Sequence, residues 1–334
     1  MMRKPVSRRM VLRWLIAVLV ISILAGCGSN TGMTEDKRVH VGVMLSDVGL
    51  GDQSYSDAAF AGLVSARDEL GIVFDYRELE QVGTFDQGFE ELVQDSDMVI
   101  GLGFQVKDSL ETIAKKHPDF PFVIVDETSE LPNVTSITFK EEEGSYLVGL
   151  IAGLKTRSDK VGFLGGVDAP LIHKFQAGFE QGLKAVNPDA ELVVEYAGTF
   201  GDAELGAEIA GRMFREDDVD IVYTAAGFTG VGALQEAEKQ HKLAIGVDTD
   251  QFFVAEKAVV TSMMKNVDVA IRTAVETFLT NNGQFPEKQI VFGLKDNAIG
   301  VAPIRVVPFG PEDQQQYDEF AEKLEAGSTV ITLP

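Results

Sequence analysis

One cysteine in 334 residues, Cys27, cannot form an internal disulfide, so the fold rests on packing alone. The four histidines, His40, His117, His173 and His241, form no H-x-x-x-H or H-E-x-x-H pair, which removes the usual scaffold for metal catalysis. There is no G-x-S-x-G elbow for acyl transfer and no Walker sequence. Gly101-Leu-Gly103-Phe-Gln-Val lacks the third glycine of a dinucleotide fingerprint, and Gly162-Phe-Leu-Gly165-Gly166 has the wrong spacing. Basic residues are scarce: 29 Lys and Arg against 52 Asp and Glu give a formal charge of −23. Such an acidic surface argues against nucleic acid, whose binding needs Lys and Arg on phosphates, and against a polybasic hold on anionic lipid. A transmembrane span is also lacking, because Val11–Ala25 contains Arg13 and falls short of the roughly 20 apolar residues required.

That short apolar run follows Arg3, Lys4, Arg8 and Arg9 and ends in Leu24-Ala25-Gly26-Cys27. A basic region, an apolar stretch and small residues are the layout of a secretory signal. L-A-G-C resembles the lipobox of bacterial lipoproteins, in which the cut falls before a cysteine that takes a diacylglycerol. Residues 1–26 are therefore expected to be a signal peptide, Cys27 a lipid anchor on the extracytoplasmic face of the cell membrane, and 27–37, small and polar, a flexible tether. Loss of five basic residues and no acidic one takes the charge of the mature chain from −23 to −28.

The remaining 308 residues suffice for two packed domains. Val39–Leu45, Ile72–Leu79, Met98–Leu102 and Phe122–Asp126 read as buried parallel strands, with helices at Ser54–Leu70, Asp86–Gln94 and Val106–His117 between them. The pattern restarts after Gly144–Lys155: strands at Val161–Leu164, Leu192–Tyr196, Ile221–Thr224 and Ala244–Val247 alternate with helices at Lys174–Ala185, Ala203–Arg215 and Gly230–Gln240. Val259–Met263, Val267–Thr280 and Lys288–Leu294 read as later crossings between lobes. The expectation is an α/β chain of two doubly wound parallel-sheet lobes joined by a multi-strand hinge, with residues 38–137 and 264–284 in the first lobe and 138–263 and 285–334 in the second. Ligands of open α/β sheets bind beyond the carboxyl ends of the strands, so two facing lobes share one cleft.

Polar and glycine-rich segments fall at those strand ends. Their order resembles the basic membrane protein family of lipoproteins, which includes purine nucleoside receptor A-like ABC transporter substrate-binding proteins. The motifs are D-Q-S-Y-S from Asp52, N-V-T-S-I-T-F-K-E-E-E-G-S-Y-L-V-G (Asn133 to Gly149), G-F-L-G-G-V-D, F-Q-A-G-F-E-Q-G (Phe175 to Gly182), A-A-G-F-T-G-V-G, I-G-V-D-T-D-Q and T-S-M-M-K-N-V-D. Any one is weak, but seven in order span nearly the whole mature chain.

The resemblance implies a type I periplasmic-binding-protein fold, no enzymatic activity, no cofactor or metal, and monomeric capture of a nucleoside, a purine by preference, for an ABC permease. The candidate motifs offer only Lys265 against several carboxylates, so the nucleoside is expected to be neutral. It implies that Tyr55 stacks on the base and Ser56 hydrogen-bonds it, where the family usually has Phe-Asn. Asp126 would face the base, Asp248 the ribose hydroxyls, and Lys265 the sugar. Asp52 would shape the first loop or meet the ligand, Gly227 would allow close backbone approach, and Phe228 would form a second aromatic wall.

Simpler roles exist for several of these residues. Tyr55 also reads as a core aromatic, Asp52 as a helix cap, Asp248 and Asp250 as turn residues, and Lys265 as a solvated lysine. Glu141–Glu143 read as a solvated first helical turn. A different purpose on the same fold is a lipoprotein sensor for a sugar or signal molecule, which acts in regulation without transport. A cleft lined by both Tyr55 and Phe228 favours a planar base over a sugar alone.

Overall fold

Alternating strand and helix segments build two six-stranded sheets in the computed structural model, which describes residues 38–334. The expected signal peptide 1–26, the Cys27 anchor and the tether 27–37 lie outside the described residues. The first series runs β1 (His40–Met44), α1 (Tyr55–Leu70), β2 (Val73–Arg77), α2 (Leu79–Val82), α3 (Phe85–Asp95), β3 (Met98–Leu102), α4 (Lys107–Lys116), β4 (Phe122–Val125) and β5 (Val134–Phe139). The chain crosses through α5 (Glu141–Lys155) into β6 (Lys160–Gly165), α6 (Pro170–Val186), β7 (Glu191–Tyr196), α7 (Ala203–Glu216), β8 (Ile221–Ala225), α8 (Gly227–Lys239), β9 (Leu243–Asp248) and β10 (Val259–Lys265). It returns as α9 (Val267–Thr280) and β11 (Gln289–Phe292), then crosses again into β12 (Ile299–Val301) and α10 (Pro311–Glu325).

The sheets have the orders β11-β5-β4-β3-β1-β2 and β12-β10-β9-β8-β6-β7, so β1 to β5 occupy the same places as β6 to β10. All pairings are parallel except that of β12 with β10. Strands β3 and β4 are buried along their whole length, as their unbroken apolar sequence requires of strands covered on both faces.

Each crossing helix lies on the first helix of the lobe it enters, and glycine permits the contact. A Cβ on Gly62 of α1 would stand 2.7 Å from the Asp268 Cα of α9, and one on Gly182 of α6 would stand 2.0 Å from the Tyr146 carbonyl oxygen of α5. Glycine inside a helix costs about 1 kcal/mol in propensity, and backbone-to-backbone packing offsets it.

The three crossings are laced together. Lys140 N–H donates to Phe292 O at 2.8 Å, Asn266 N–H to Ala298 O at 2.8 Å, and the Asn266 side-chain amide to Asn297 O at 2.7 Å. The two sheets and their crossings form one compact unit over residues 39–334.

One assignment needs correction. Residues 285–334 were expected wholly in the second lobe, but β11 pairs with β5 in register Gln289↔Ser136 and completes the first sheet. An apolar run marks a strand without naming its partner. Strands β5 and β12 and helix α10 were not expected at all. Strand β12 has three residues, and α10 is acidic with a single buried position, so neither carries a strong period.

Candidate functional site

Both sheets direct the carboxyl ends of their strands at one cavity. The space between its walls, open solvent at the mouth included, is about 590 Å³.

From the first lobe, the segment after β1 is pinned by three carboxylates. Glu78 accepts from Leu50 N–H, and Asp57 accepts from the N–H groups of Gly51 and Gln53. Asp52 accepts from the N–H groups of Ser54 at 3.0 Å, Ser56 at 2.7 Å and Asp57 at 3.2 Å. Asp52 thus satisfies donors at the start of α1 and lines the cavity too, so its two readings are compatible. Burial raises its pKa, and the three backbone donors partly offset this.

Asp126 follows β4 in the left-handed region, at φ 69°, a conformation that Asp tolerates better than most residues. Its Oδ2 accepts from Lys265 Nζ at 2.7 Å, and the same ammonium lies 3.0 Å from Glu141 Oε1. The nitrogen also sits over the rings of Phe139 at 4.9 Å, Tyr55 at 5.4 Å and Phe175 at 5.6 Å. Lys265 is only 2 % exposed. Burial works to lower its pKa, but the carboxylates of Asp126, Glu141 and Asp248 outweigh burial and hold it above the ordinary lysine value. Burial raises the Asp126 pKa, and Lys265 works against that rise.

From the second lobe, Asp248 ends β9 at φ 64°, and its Oδ2 accepts from Ser54 Oγ of the first lobe. Burial pushes its carboxyl up to about 6 against the opposing pull of Lys265 and the Ser54 hydroxyl. Gly227 opens α8 at φ 55°, where a side chain would be strained and would approach Phe200 O to 3.4 Å.

Contacts across the cleft show the lobes closed. Besides Ser54–Asp248, the Gln53 carbonyl accepts from Thr249 Oγ1 at 3.3 Å and from Gln251 Nε2 at 3.1 Å. Phe104 meets Phe200 edge to face, with centroids 6.4 Å apart.

Of the eight expected residues, Asp52, Tyr55, Asp126, Gly227, Phe228, Asp248 and Lys265 line this cavity. Ser56 does not: it is fully buried in α1, and its hydroxyl shares a 2.9 Å hydrogen bond with Ser46, which does line the cavity. One step along a helix turns a side chain by about 100°, so neighbours of Tyr55 in sequence need not share its face.

Glu141 is a second correction. It is fully buried, not solvated, and ion-paired with Lys174 as well as Lys265.

Phe104, Phe175 and Phe200 were missed as cavity walls. The first two lie inside quoted motifs. Phe200, in Thr199-Phe-Gly-Asp202 after β7, has no local signal.

Two parallel-sheet lobes, laced at three crossings and closed over a lined cavity, define a bilobal trap for a small molecule. The chain belongs to the family described as ABC transporter substrate-binding protein PnrA-like, which matches residues 39–331. It is 36% identical over 310 residues to the CD4+ T-cell-stimulating antigen of Listeria monocytogenes, covering 84% of this chain and 86% of that one. It is 30% identical over 312 residues to the ABC transporter nucleoside-binding protein BmpA of Lactococcus lactis, covering 85% and 88%. The crystal structure of an ABC transporter solute-binding protein from Aeropyrum pernix superposes with a TM-score of 0.79 at 24% identity, covering 89% and 94%, a likeness of fold. The protein is therefore an extracytoplasmic, lipid-anchored substrate-binding component of an ABC transporter with the type I periplasmic-binding-protein fold, a partner of a membrane permease and not an enzyme.

Proposed function

We propose that the cleft captures a neutral nucleoside, a purine by preference, and hands it to the permease, with Cys27 as the lipid anchor. The observation that carries this reading is the composition of the cavity wall: aromatic rings from both lobes, Tyr55 and Phe104 on one side and Phe175, Phe200 and Phe228 on the other, beside a cluster of carboxylates. Flat rings favour a stacked planar base, while carboxylates accept hydrogen bonds from sugar hydroxyls or base N–H groups. A nucleoside named in the description of the Lactococcus relative agrees with this assignment.

Neutrality follows from charge. Lys265 is the one cationic residue of the wall, against Asp47, Asp52, Asp126 and Asp248, whereas a phosphate calls for an arginine clamp or several cations. The ligand bridges the lobes, so its binding favours the closed state that the permease reads. In this arrangement Tyr55 supplies the stacking face, Asp126 and Asp248 accept from the ligand, and Lys265 donates to it. Ser56 acts through Ser46.

Isothermal titration calorimetry of protein refolded free of co-purified ligand tests this against adenosine, guanosine, inosine, cytidine, uridine, AMP and ribose. Saturable binding of purine nucleosides with AMP and ribose silent is expected. Silence of every nucleoside from folded protein, or AMP bound as tightly as adenosine, removes the reading.

A further inference from the structure

A chain of alternating charge runs behind the cavity, from the half-buried Lys174 of α6 through the buried Glu141 and Lys265 to Asp126. Glu141 is not part of the cavity wall. It stands one residue past the first crossing, and Lys265 one residue before the second, so the chain ties both crossings to the first-lobe strand end. Glu141 Oε1 lies 3.0 Å from the Lys265 ammonium without hydrogen-bond alignment, which makes the contact Coulombic. Its other oxygen meets Lys174, which also reaches Phe139 O and lies 3.4 Å from Glu142.

Lys265 thus faces the carboxylates of Asp126, Glu141 and Asp248 together. A buried ammonium so surrounded keeps its N–H donors and loses its positive field.

We propose that Glu141 sets the charge selectivity of the cleft: by holding Lys265 in a second ion pair, it lets that ammonium donate to a neutral ligand without offering net positive charge to an anionic one. Glu141 is a positioning residue that acts through Lys265. The inference rests on the nucleoside reading only for the choice of ligands in its test.

Glu141→Gln keeps the shape and removes one negative charge about 3 Å from Lys265. One unit charge at short range, in a medium of effective dielectric about 20, alters the affinity of an anion by about tenfold or more. Titration of the full-length variant with adenosine and AMP should show the preference for adenosine over AMP reduced by about tenfold or more. Lys174→Met, which leaves Glu141 wholly to Lys265, should keep the preference of the unaltered protein. If Glu141→Gln does not fold, the double variant with Lys174→Met should relax the preference in the same direction by a smaller factor, because the lost ammonium meets the other oxygen of Glu141 and stands farther from Lys265.

An unchanged preference, with both ligands weakened alike, overturns the assignment. Equal relaxation in Lys174→Met does so too, since it traces the effect to packing around α6. Should the unaltered protein bind no nucleoside, the reading of the ligand falls by itself, and the selectivity is still read from thermal shifts with AMP and ribose 5-phosphate. These should appear in Glu141→Gln alone, and their absence from the folded variant overturns the inference.

Discussion

Asp126 and Asp248 occupy equivalent places in the two lobes, at the carboxyl ends of β4 and β9, and both turn through the left-handed region to face the cleft. Both are almost wholly buried, and burial raises the pKa of each. Their partners differ. Asp126 is paired with Lys265, which ends β10 one residue before the second crossing. Asp248 is held by Ser54 of the opposite lobe, across the cleft. One backbone device therefore meets two kinds of partner, an ammonium beside a crossing for the first aspartate and a hydroxyl across the cleft for the second. The first is expected to act as frame and the second as latch.

The largest expected effect breaks the frame. Asp126→Ala removes the hydrogen-bonded partner of the buried Lys265 and leaves Glu141 at 3.0 Å to neutralise it, a change that costs about 3 kcal/mol, the lower end for a broken buried pair. Urea unfolding of the ligand-free variant should show a stability loss of that order, far above the loss in Asp248→Ala. Equal losses in the two variants would erase the distinction between frame and latch.

A second, smaller effect sharpens the comparison through pH. The closed fold holds the Asp248 proton to about 6 against an ordinary value of 3.8. Its contribution to stability is thus fully present below about 3.8 and is lost as pH rises through about 6. A pKa raised by about two units corresponds to about 2–3 kcal/mol at most. Asp248→Asn, which cannot ionise, should be more stable than the unaltered protein at pH 7, with the gap closing towards pH 4 in ligand-free urea unfolding. A gap independent of pH would mean that this carboxyl is solvated in the ligand-free protein, with the lobes open.

The contrast between these aspartates was only half legible in the sequence. The strand-helix alternation gave both lobes, because apolar runs on a buried parallel strand need no partner to be recognised. It also put Asp126 and Asp248 at strand ends, hence at the cleft. What each aspartate meets depends on residues far along the chain: Lys265 lies 139 positions from Asp126, and Ser54 lies 194 from Asp248. No local pattern encodes such a pairing. Glu141 was misread for the same reason, since three consecutive acids at a helix start look alike until Lys174 and Lys265 select one of them. Ser56 was misplaced by a rotation about the α1 axis, which motif resemblance does not resolve. Phe200 entered the wall because its loop folds over the start of α8, where Thr229 N–H donates to Phe200 O at 2.9 Å.

The smallest effect isolates the latch itself. Ser54→Ala deletes the hydroxyl that bridges the lobes to Asp248 and leaves the Gln53 carbonyl contacts of Thr249 and Gln251 in place. A hydrogen bond to a charged group contributes about 1.5–3 kcal/mol at most, and here water or a ligand hydroxyl can take the vacated position on the carboxylate, so about 1 kcal/mol is expected. Because the bond spans the cleft between the lobes, its loss should appear in ligand release. Stopped-flow displacement of bound adenosine should show dissociation about fivefold faster, with association and unfolding stability nearly unchanged. If Ser54→Ala instead lowered stability as much as Asp126→Ala, the Ser54–Asp248 contact would belong to the permanent frame, and the two aspartates would be alike after all.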